Sequence, residues 1–576
     1  MSDWELQERR EEMARREVGH TRVRPALSWC LIILFLLVIL SVPLVQHVSE
    51  LRDYAAGERR SPLPQAYDVF SLFPAAVKAS VDSESSGGGI LSRLFTVNRH
   101  LLKEMKRFEE TLDDQSVIGK WIRPKTQHVL TAWLGAGNEK AYCGERPWLF
   151  YRPEVDYLSG PPFLHPVQLR KRAAAGSEWA TPTEPDPRAA ILHLKEQLAR
   201  RGIALIIMPT PIKAMIHPEK LTRRYGRRQT ELQNPSYERF KEEMERNGVL
   251  VFDAAPALMG AKARSGQAQY LATDTHWRPE AVELAAEKLK DFIQEQVLLP
   301  TVPDPGYRTE RFGMTQLGDL AVMLDLPVKQ RIFPREKASI RKVFEKNGQE
   351  PWKSQKTADV LVLGDSFSNI YSLEAMGWGE GAGFVEQLSY ALQRPLDRIT
   401  RNDNGSYATR EFLAGEMARG RDRLEGKRLV IYQFAIRELA VGNWKRIDLK
   451  PGTPPQTRYL ALPPGGERIV RGRIEAVSAV PRPGTVAYKD HVMAIHLADL
   501  ETDGRSLTET DAMVYMRSMT DNVWTPAARY RPGESVALRL MAWSDVADRY
   551  EGINRSELDD TALQLVEPCW GEAVKK

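Results

Sequence analysis

The sequence predicts an α/β domain built on a parallel sheet, with one membrane-spanning helix before it and a small all-β domain after it. Three observations carry this expectation. The uncharged run Ala26–Gln46 is long enough to cross a bilayer, which takes about 20 apolar residues. From about residue 140 to 447, short apolar runs alternate with amphipathic stretches, the pattern of strands and helices layered around one sheet. Beyond residue 456 the helical periodicity fades into alternating segments rich in Val, Met and Tyr, broken by turns such as Pro483-Gly484 and Pro532-Gly533. At 576 residues the chain is too long for a single core. Its 27% charged and 42% hydrophobic residues describe globular protein, and the net charge of +5 is spread too evenly to suggest a nucleic-acid surface.

The apolar run reads as an uncleaved anchor. A signal peptide has a core of about 7–15 residues ending at small residues, and here the run is longer and no A-x-A pattern follows. Arg9, Arg10, Arg15, Arg16, Arg22 and Arg24 precede it, whereas Arg52, Arg59 and Arg60 follow. That bias puts residues 1–25 in the cytoplasm as a basic tail, 26–46 in the membrane and the rest outside: in a bacterium, the inner membrane and the periplasm. The anchor holds Pro43 and no ionisable group but the weakly acidic Cys30, so it gives no hint of a transport path. Residues 47–139 read as a mixed-charge helical and linker region, with Ser83–Gly89 as a flexible break.

In the central domain the expected strands are Ala204–Met208, Val249–Phe252, Val360–Leu363 and Leu429–Tyr432, short apolar runs of the kind buried on both faces of a parallel sheet. Amphipathic helices are expected at Ala189–Ala199, with Ile191, Leu194 and Leu198 on one face, and at Pro279–Leu289, where proline opens the first turn. Asp448–Pro455 reads as an interdomain linker. In the β domain, strands are expected at Arg468–Val477, His491–Leu497, Ala512–Met516 and Ser535–Met541, forming a small barrel or sandwich with an OB-like barrel the first expectation.

Two stretches carry chemistry. In Ala358–Asn369, ADVLVLGDSFSN, a strand ends at Gly364-Asp365-Ser366, which puts the serine at the carboxyl edge of the sheet, where ligands bind in open α/β folds. Gly-Asp-Ser is also ordinary turn chemistry. In Tyr270–Trp277, YLATDTHW, Asp274 and His276 lie two apart, so extended backbone would turn both side chains the same way. A serine hydroxyl becomes nucleophilic through a neighbouring base, and an imidazole base needs an acid to hold its tautomer; Asp-x-His supplies both. The competing reading is a solvated turn with a chance histidine. A metal reading of Asp274 and His276 lacks a companion His/Cys/Glu cluster.

GDSFS combined with TDTHW, in that reversed chain order, resembles the circularly permuted SGNH-hydrolase-like domains of the alginate O-acetyltransferases of the AlgJ and AlgX type. Pro147–Tyr151, Pro209–Lys213, His217–Leu221 and Arg437-Glu438 look similar as well, so the resemblance covers residues 140–445. It implies an SGNH-hydrolase-like (flavodoxin-like) three-layer fold over residues 140–447. It further implies Ser366 as nucleophile, His276 as general base and acid, and Asp274 as its orienter. The implied activity is transfer of acetyl groups through a serine acyl-enzyme to hydroxyls of an exopolysaccharide or cell-wall glycan, with no cofactor. Acetyl donors are cytoplasmic, so a multi-pass membrane O-acyltransferase is implied as the partner that supplies them. An acetylesterase on the same triad and a non-catalytic polysaccharide-binding scaffold of an export complex are the alternatives.

The Ser366 N–H is the first oxyanion candidate, with Asn369, Tyr371 and the turn Arg401–Asn404 as further candidates. Lys213 reads as a contact for an acidic sugar or a solvated loop lysine, Trp277 as a pocket wall or core, and Arg437-Glu438 as an ion pair near the site. Trp524, Tyr530 and Trp543 in the β domain (456–576), where the resemblance implies carbohydrate binding, could stack on sugars or fill a core. Cys143 and Cys569 are the only thiols outside the anchor, so a disulfide between them and two free thiols are both open.

Overall fold

The computed structural model describes residues 116–574 apart from the short stretches 175–182, 227–231, 349, 403, 453–457, 485, 487, 503, 559–562 and 564–565. Nearer the N-terminus it describes 25–55, 62–70, 72–74 and several one- or two-residue pieces between 9 and 113. The expected break at Ser83–Gly89 and most of the basic tail lie outside the described residues. The chain divides into two compact units, Met1–Arg123 and Pro124–Lys576.

In the first unit one helix runs from Pro25 to Ala55. Its 31 residues span about 46 Å at 1.5 Å each, more than the roughly 30 Å of a hydrocarbon core. Leu34, Phe35 and Leu37 are exposed on it. The helix continues nine residues past the expected span Ala26–Gln46, and Glu50 in that extension is buried, accepting from Gln46 Nε2 at 3.0 Å and the Gln65 N–H at 2.8 Å.

The second unit opens within the helix Val117–Leu134, and an antiparallel pair follows, β1 (Ala141–Cys143) and β2 (Leu149–Tyr151). The main sheet has five parallel strands: β3 (Ala204–Thr210), β4 (Leu250–Val251), β7 (Val360–Gly364), β8 (Asp397–Thr400) and β9 (Leu429–Ala435), in the order β4-β3-β9-β7-β8. A separate hairpin, β5 (Arg308–Gln316) and β6 (Glu336–Phe344), pairs antiparallel. Every residue of β7 and β9 is buried, the signature of a sheet covered on both faces. The helix Pro187–Ala199 buries Ile191, Leu194 and Leu198 as its spacing demands, and the Asp186 side chain caps it by accepting the Arg188 N–H. The helix Pro279–Gln296 buries Val282, Ala285, Leu289 and Ile293, seven residues beyond the expected end. The chain moves outward from β3 to β4 on one side and from β7 to β8 on the other, then inserts β9 between them. The crevice at a topological switch therefore opens over the carboxyl ends of β3, β9 and β7.

Three differences from the expected strands have local causes. Of Val249–Phe252 only Leu250 and Val251 pair. β8 was hidden because its one large apolar residue is Ile399; Asp397 is fully buried there, matched by Arg423 at 2.5 Å and Lys427 at 3.2 Å. β5 and β6 were masked by charge, since β5 is largely exposed and carries Arg308, Glu310 and Arg311.

The C-terminal strands are β10 (Glu467–Val477), β11 (His491–Thr502), β12 (Arg505–Ser506), β13 (Ala512–Thr520), β14 (Val523–Trp524), β15 (Ser535–Ala542), β16 (Asn554–Ser556) and β17 (Cys569–Ala573). Five of them close a ring, β10-β11-β13-β17-β15 and back to β10, with β13–β17 the one parallel contact in it. This is a closed Greek-key barrel of the OB type, filled by residues such as Val470, Ile474, Val514 and Leu538. The helix Trp543–Tyr550 was not expected; it lays Trp543, Val546 and Tyr550 against a second cluster that includes Trp570. Trp524, Tyr530 and Trp543 are half-buried, and the Trp524 indole N–H donates to the Pro481 carbonyl at 2.8 Å. Cys143 in β1 and Cys569 in β17 are both free thiols, so the disulfide considered from the sequence is not formed. Cys569 is buried against the Leu460 carbonyl, and burial pushes its thiol up to about 12.

Candidate active site

Each element of the crevice delivers one side chain. β7 ends at Gly364, and Asp365 caps the short helix Ser366–Asn369 by accepting the Phe367 N–H at 2.9 Å. Gly364 is required by close approach: a Cβ there would lie 2.5 Å from Ser368 Oγ and 2.8 Å from Ser368 Cβ. Asp365 also accepts from Gln433 Nε2 at 2.8 Å and from the Ala435 N–H at 2.5 Å. Gln433 returns a bond to the Asp365 N–H, binds Ser368 Oγ at 2.6 Å and donates to Thr210 Oγ1 at 2.8 Å. This buried network ties the ends of β3, β9 and β7 together and fixes the turn that presents Ser366.

Asp274 and His276 are presented by a tight turn rather than by extended backbone. Tyr270 and Trp277 form an isolated antiparallel bridge, and the Leu271 N–H donates to the His276 carbonyl at 3.1 Å. Inside it the His276 N–H donates to Asp274 Oδ1 at 3.1 Å, an Asx-type turn. Across the crevice His276 Nε2 lies 2.8 Å from Ser366 Oγ, and His276 Nδ1 lies 2.7 Å from Asp274 Oδ1. An ionised carboxylate only accepts, so Nδ1 carries the proton and the Nε2 lone pair faces the serine. All three residues are at most 3% exposed.

The supporting shell explains the charge states. Asp274 Oδ2 accepts from the Trp378 indole N–H at 2.9 Å and the Asp319 N–H at 3.0 Å, so the carboxylate receives four N–H bonds. Burial pushes this acid up, but the His276 bond and charge and the remaining donors bring it down to about 2. His276 is raised: burial disfavours its cation, and the adjoining Asp274 carboxylate outweighs that. Asp319 is raised to about 7 by burial and by the Asp274 charge; its Oδ1 accepts the Thr275 N–H at 2.6 Å. Gly318 is pressed onto the turn so closely that a Cβ would lie 2.2 Å from the Thr273 carbonyl carbon. Asp274, His276 and Asp319 also offer three ligand atoms within 4.8 Å of one another. Since Nδ1 is protonated and bonded to Asp274, that set is committed to holding the imidazole.

Lys213 is fully buried rather than solvated. Its Nζ donates to the carbonyls of Leu149 at 2.7 Å and Ala272 at 3.2 Å, pinning β2 to the Asp-x-His turn, and burial brings it down to about 8. Trp277 is core, with its indole N–H on the Phe367 carbonyl at 3.0 Å. Arg437 does not pair with Glu438 as expected. Its guanidinium reaches Glu154 Oε1 at 3.0 Å and lies over the rings of Tyr151 and Phe367, while Glu438 accepts the Ser406 N–H at 3.2 Å. Glu154 is itself fully buried and raised to about 7 by that burial. Asn369 donates to Asn402 Oδ1 at 2.7 Å, and the buried Tyr371 hydroxyl donates to the Trp277 carbonyl at 2.7 Å; both brace the site's framework. In the turn Arg401–Asn404, Asp403 lies outside the described residues.

Sequence reading missed Trp378, Asp319, Glu154 and Gln433. The one local signal was the run Gly377-Trp-Gly-Glu-Gly381, where Gly377, Gly379 and Gly381 all adopt positive φ and carry the indole to Asp274. The other three are single polar residues whose partners come from distant segments.

A parallel sheet with a serine after an inner strand and Asp-x-His on an adjoining turn is the architecture of SGNH-hydrolase-like α/β domains. The chain matches the family described as the SGNH hydrolase-like domain of the acetyltransferase AlgX over residues 142–435, just over half its length, and it belongs to that family. Curated relatives include the probable alginate O-acetylase AlgJ of Pseudomonas aeruginosa, 32% identical over 267 residues that make up 45% of this chain and 65% of that protein. The AlgJ of Azotobacter vinelandii is 29% identical over 232 residues, 39% of this chain and 53% of that protein. The chain thus spans less than two thirds of either relative. Among solved structures, the O-acetyltransferase domain of Pseudomonas putida AlgJ is 22% identical with a TM-score of 0.40, covering 53% of this chain and 93% of that one. Pseudomonas aeruginosa AlgX is 12% identical with a TM-score of 0.38, covering 70% and 90%.

Proposed function

We propose that the chain is a membrane-anchored O-acetyltransferase that acetylates hydroxyls of an acidic exopolysaccharide in the periplasm, through a serine acyl-enzyme. The observation that carries the reading is the relay Ser366 Oγ to His276 Nε2 at 2.8 Å and His276 Nδ1 to Asp274 at 2.7 Å, at the carboxyl edge of the sheet. Family membership supports the acyl-transfer class, and the curated relatives named as alginate O-acetylases support the acceptor class.

In the first half-reaction Ser366 Oγ attacks the acetyl carbonyl of the donor while its proton passes to His276 Nε2. The Ser366 N–H stabilises the oxyanion. The intermediate collapses, the donor oxygen leaves with the proton from His276, and acetyl-Ser366 remains. In the second half a glycan hydroxyl gives its proton to His276 and attacks the ester. Its oxygen keeps the acetyl group, and the proton returns to Ser366 Oγ. Asp274 stays ionised throughout, and its four donors keep it so. The helix Pro25–Ala55 anchors the enzyme with its N-terminus in the cytoplasm, residues 140–447 carry the chemistry, and a multi-pass membrane acyltransferase hands over the acetyl group.

The test is transfer against hydrolysis. Full-length protein in detergent is given an activated acetyl ester with and without uronate oligosaccharide, and acetylated sugar and free acetate are measured. Acetyl-sugar formed by the native protein and lost in Ser366→Ala supports the reading. Acetate as the sole product, with or without acceptor, makes the chain an esterase.

A further inference from the structure

The helix Val117–Leu134 shows its apolar side to solvent and keeps its polar side for the protein. Gln127 Nε2 donates to Thr131 Oγ1 at 2.9 Å and to the carbonyls of Ala136 and Gly137 at 3.3 and 3.2 Å. The buried Thr131 hydroxyl donates to the Ala136 carbonyl at 2.9 Å, and Arg146 reaches the carbonyls of Thr131 and Ala132 at 3.3 and 2.6 Å. At about 100° per residue, Ile122, Val129 and Trp133 fall in one row on the side of the helix opposite Thr131, with Leu130 and Leu134 on its flank. Trp133 is 83% exposed, Leu134 73%, Val129 49% and Ile122 44%. A helix on a water-facing surface buries its apolar stripe; a stripe turned outward marks a contact surface.

Charge, aromatic content and position point to lipid as its cover. The helix carries Lys120, Arg123 and Lys125, all exposed, and no carboxylate; the acid paired with Arg123 is Asp113, outside the helix. Trp121 and Trp133 are exposed near its two ends, and indoles gather at the headgroup level of a bilayer. Position is given by the first unit. The uncharged run Ala26–Gln46 is about 31 Å long at about 1.5 Å per residue, the thickness of a hydrocarbon core, so Gln46 falls at the core's outer edge. Gln46 Oε1 accepts the N–H of Val117, the first residue of the helix, at 3.1 Å. The helix therefore starts at the level where the chain leaves the bilayer.

We propose that the helix Val117–Leu134 lies in the outer-leaflet interface of the membrane that holds the anchor. Ile122, Val129, Leu130, Trp133 and Leu134 enter the acyl boundary to about 5–10 Å, and Lys120 and Lys125 meet anionic headgroups. The helix leads directly to β1, so the lipid surface becomes a second hold on the chain besides the span. The inference rests on the reading that Pro25–Ala55 crosses the membrane.

The test reads depth in the full-length protein, reconstituted into vesicles of phosphatidylcholine and phosphatidylglycerol. Spin labels are attached one at a time at Val129→Cys, Leu130→Cys and Trp133→Cys, at Leu37→Cys in the anchor and at Leu298→Cys, a fully exposed position of the catalytic domain. The background carries Cys30→Ser and Cys143→Ser; Cys569 is buried and stays unlabelled. Access to oxygen, which concentrates in lipid, is compared with access to a water-soluble nickel chelate. The three helix labels should sit about 5–10 Å below the phosphates, and the Leu298→Cys label in water. Lys120→Gln and Lys125→Gln should each move the balance of immersed and exposed label about fivefold toward water, and pure phosphatidylcholine should do the same. Nickel access at all three helix positions equal to that at Leu298→Cys overturns the proposal. Low access to both reagents there overturns it as well, because the face is then covered by protein. Depth unchanged by both lysine variants and by pure phosphatidylcholine overturns the assignment of anionic headgroups. The Leu37→Cys label separates the two readings: lipid there with water at the helix refutes this inference alone, and water there with lipid at the helix refutes the anchor alone.

Discussion

Asp274→Asn tests the relay at its least replaceable point. The carboxylate accepts four N–H donors: the Nδ1–H and backbone N–H of His276 at Oδ1, and those of Trp378 and Asp319 at Oδ2. An amide has one oxygen, so its NH2 must face two donors whichever way it is turned. Facing Trp378 and Asp319, it leaves two buried donors unbonded, at about 1–3 kcal/mol each. Facing His276, it forces the other tautomer, which puts a proton on Nε2 and removes the base from Ser366. Either way the stability that Asp274 contributes is also lost. Its acid is depressed from 3.8 to about 2 on folding, and it is fully buried. That contributes about 2 kcal/mol above pH 4 and disappears as pH falls toward 2. The variant should therefore unfold about 2–4 kcal/mol more easily at pH 7 and turn over an activated acetyl ester about a thousandfold or more slowly. Because Asp274 raises His276, any residual activity should have its acidic limb at lower pH than the native enzyme. Turnover within about a factor of ten of native at pH 7, in a folded variant, would refute the tautomer argument.

Other expectations follow from the same shell. Gly364→Ala should cost about 1–3 kcal/mol in chemical denaturation, because the new methyl must displace Ser368 from the Asp365–Gln433 network. Lys213→Met should destabilise by about 2 kcal/mol or more, since the buried Leu149 and Ala272 carbonyls lose their donor. In Arg437→Met the Glu154 acid, already at about 7, loses its partner and rises further. A raised acid stabilises when protonated and loses that contribution as pH rises through its folded value. The variant should thus fall behind native by about 3 kcal/mol at pH 8 and by less at pH 5, as read from paired denaturation curves.

The parts of this site legible in the sequence were those encoded by neighbouring residues. Gly364-Asp365-Ser366 announced its turn because a β-branched run ended at a glycine, and Asp274-x-His276 announced base and acid by spacing alone. The strands β3, β7 and β9 were visible because each opens on an unbroken apolar run, Ala204–Met208, Val360–Leu363 and Leu429–Tyr432. What stayed hidden was made by tertiary pairing: β8 buries Asp397 against Arg423 and Lys427, and β5 and β6 keep their charges outside. Lys213 looked like a loop lysine because nothing local shows that two carbonyls wait for it from β2 and the Asp-x-His turn. Arg437 was placed beside Glu438 by adjacency, while the partner chosen by the fold, Glu154, lies 283 residues away in sequence. The turn at Asp274 shows the limit from the other side: the two side chains meet as expected, through a turn the alternation argument did not contain.

The most direct measurement is the mass of the Ser366 peptide. Full-length protein in detergent is incubated with an activated acetyl ester, quenched in acid and digested, with Ser366→Ala alongside. A single acetyl group on the native Ser366 peptide, absent from the variant and discharged on adding uronate oligosaccharide, is the predicted result. Turnover of the ester at equal rates in both proteins, with no adduct on Ser366, would contradict the acyl-enzyme.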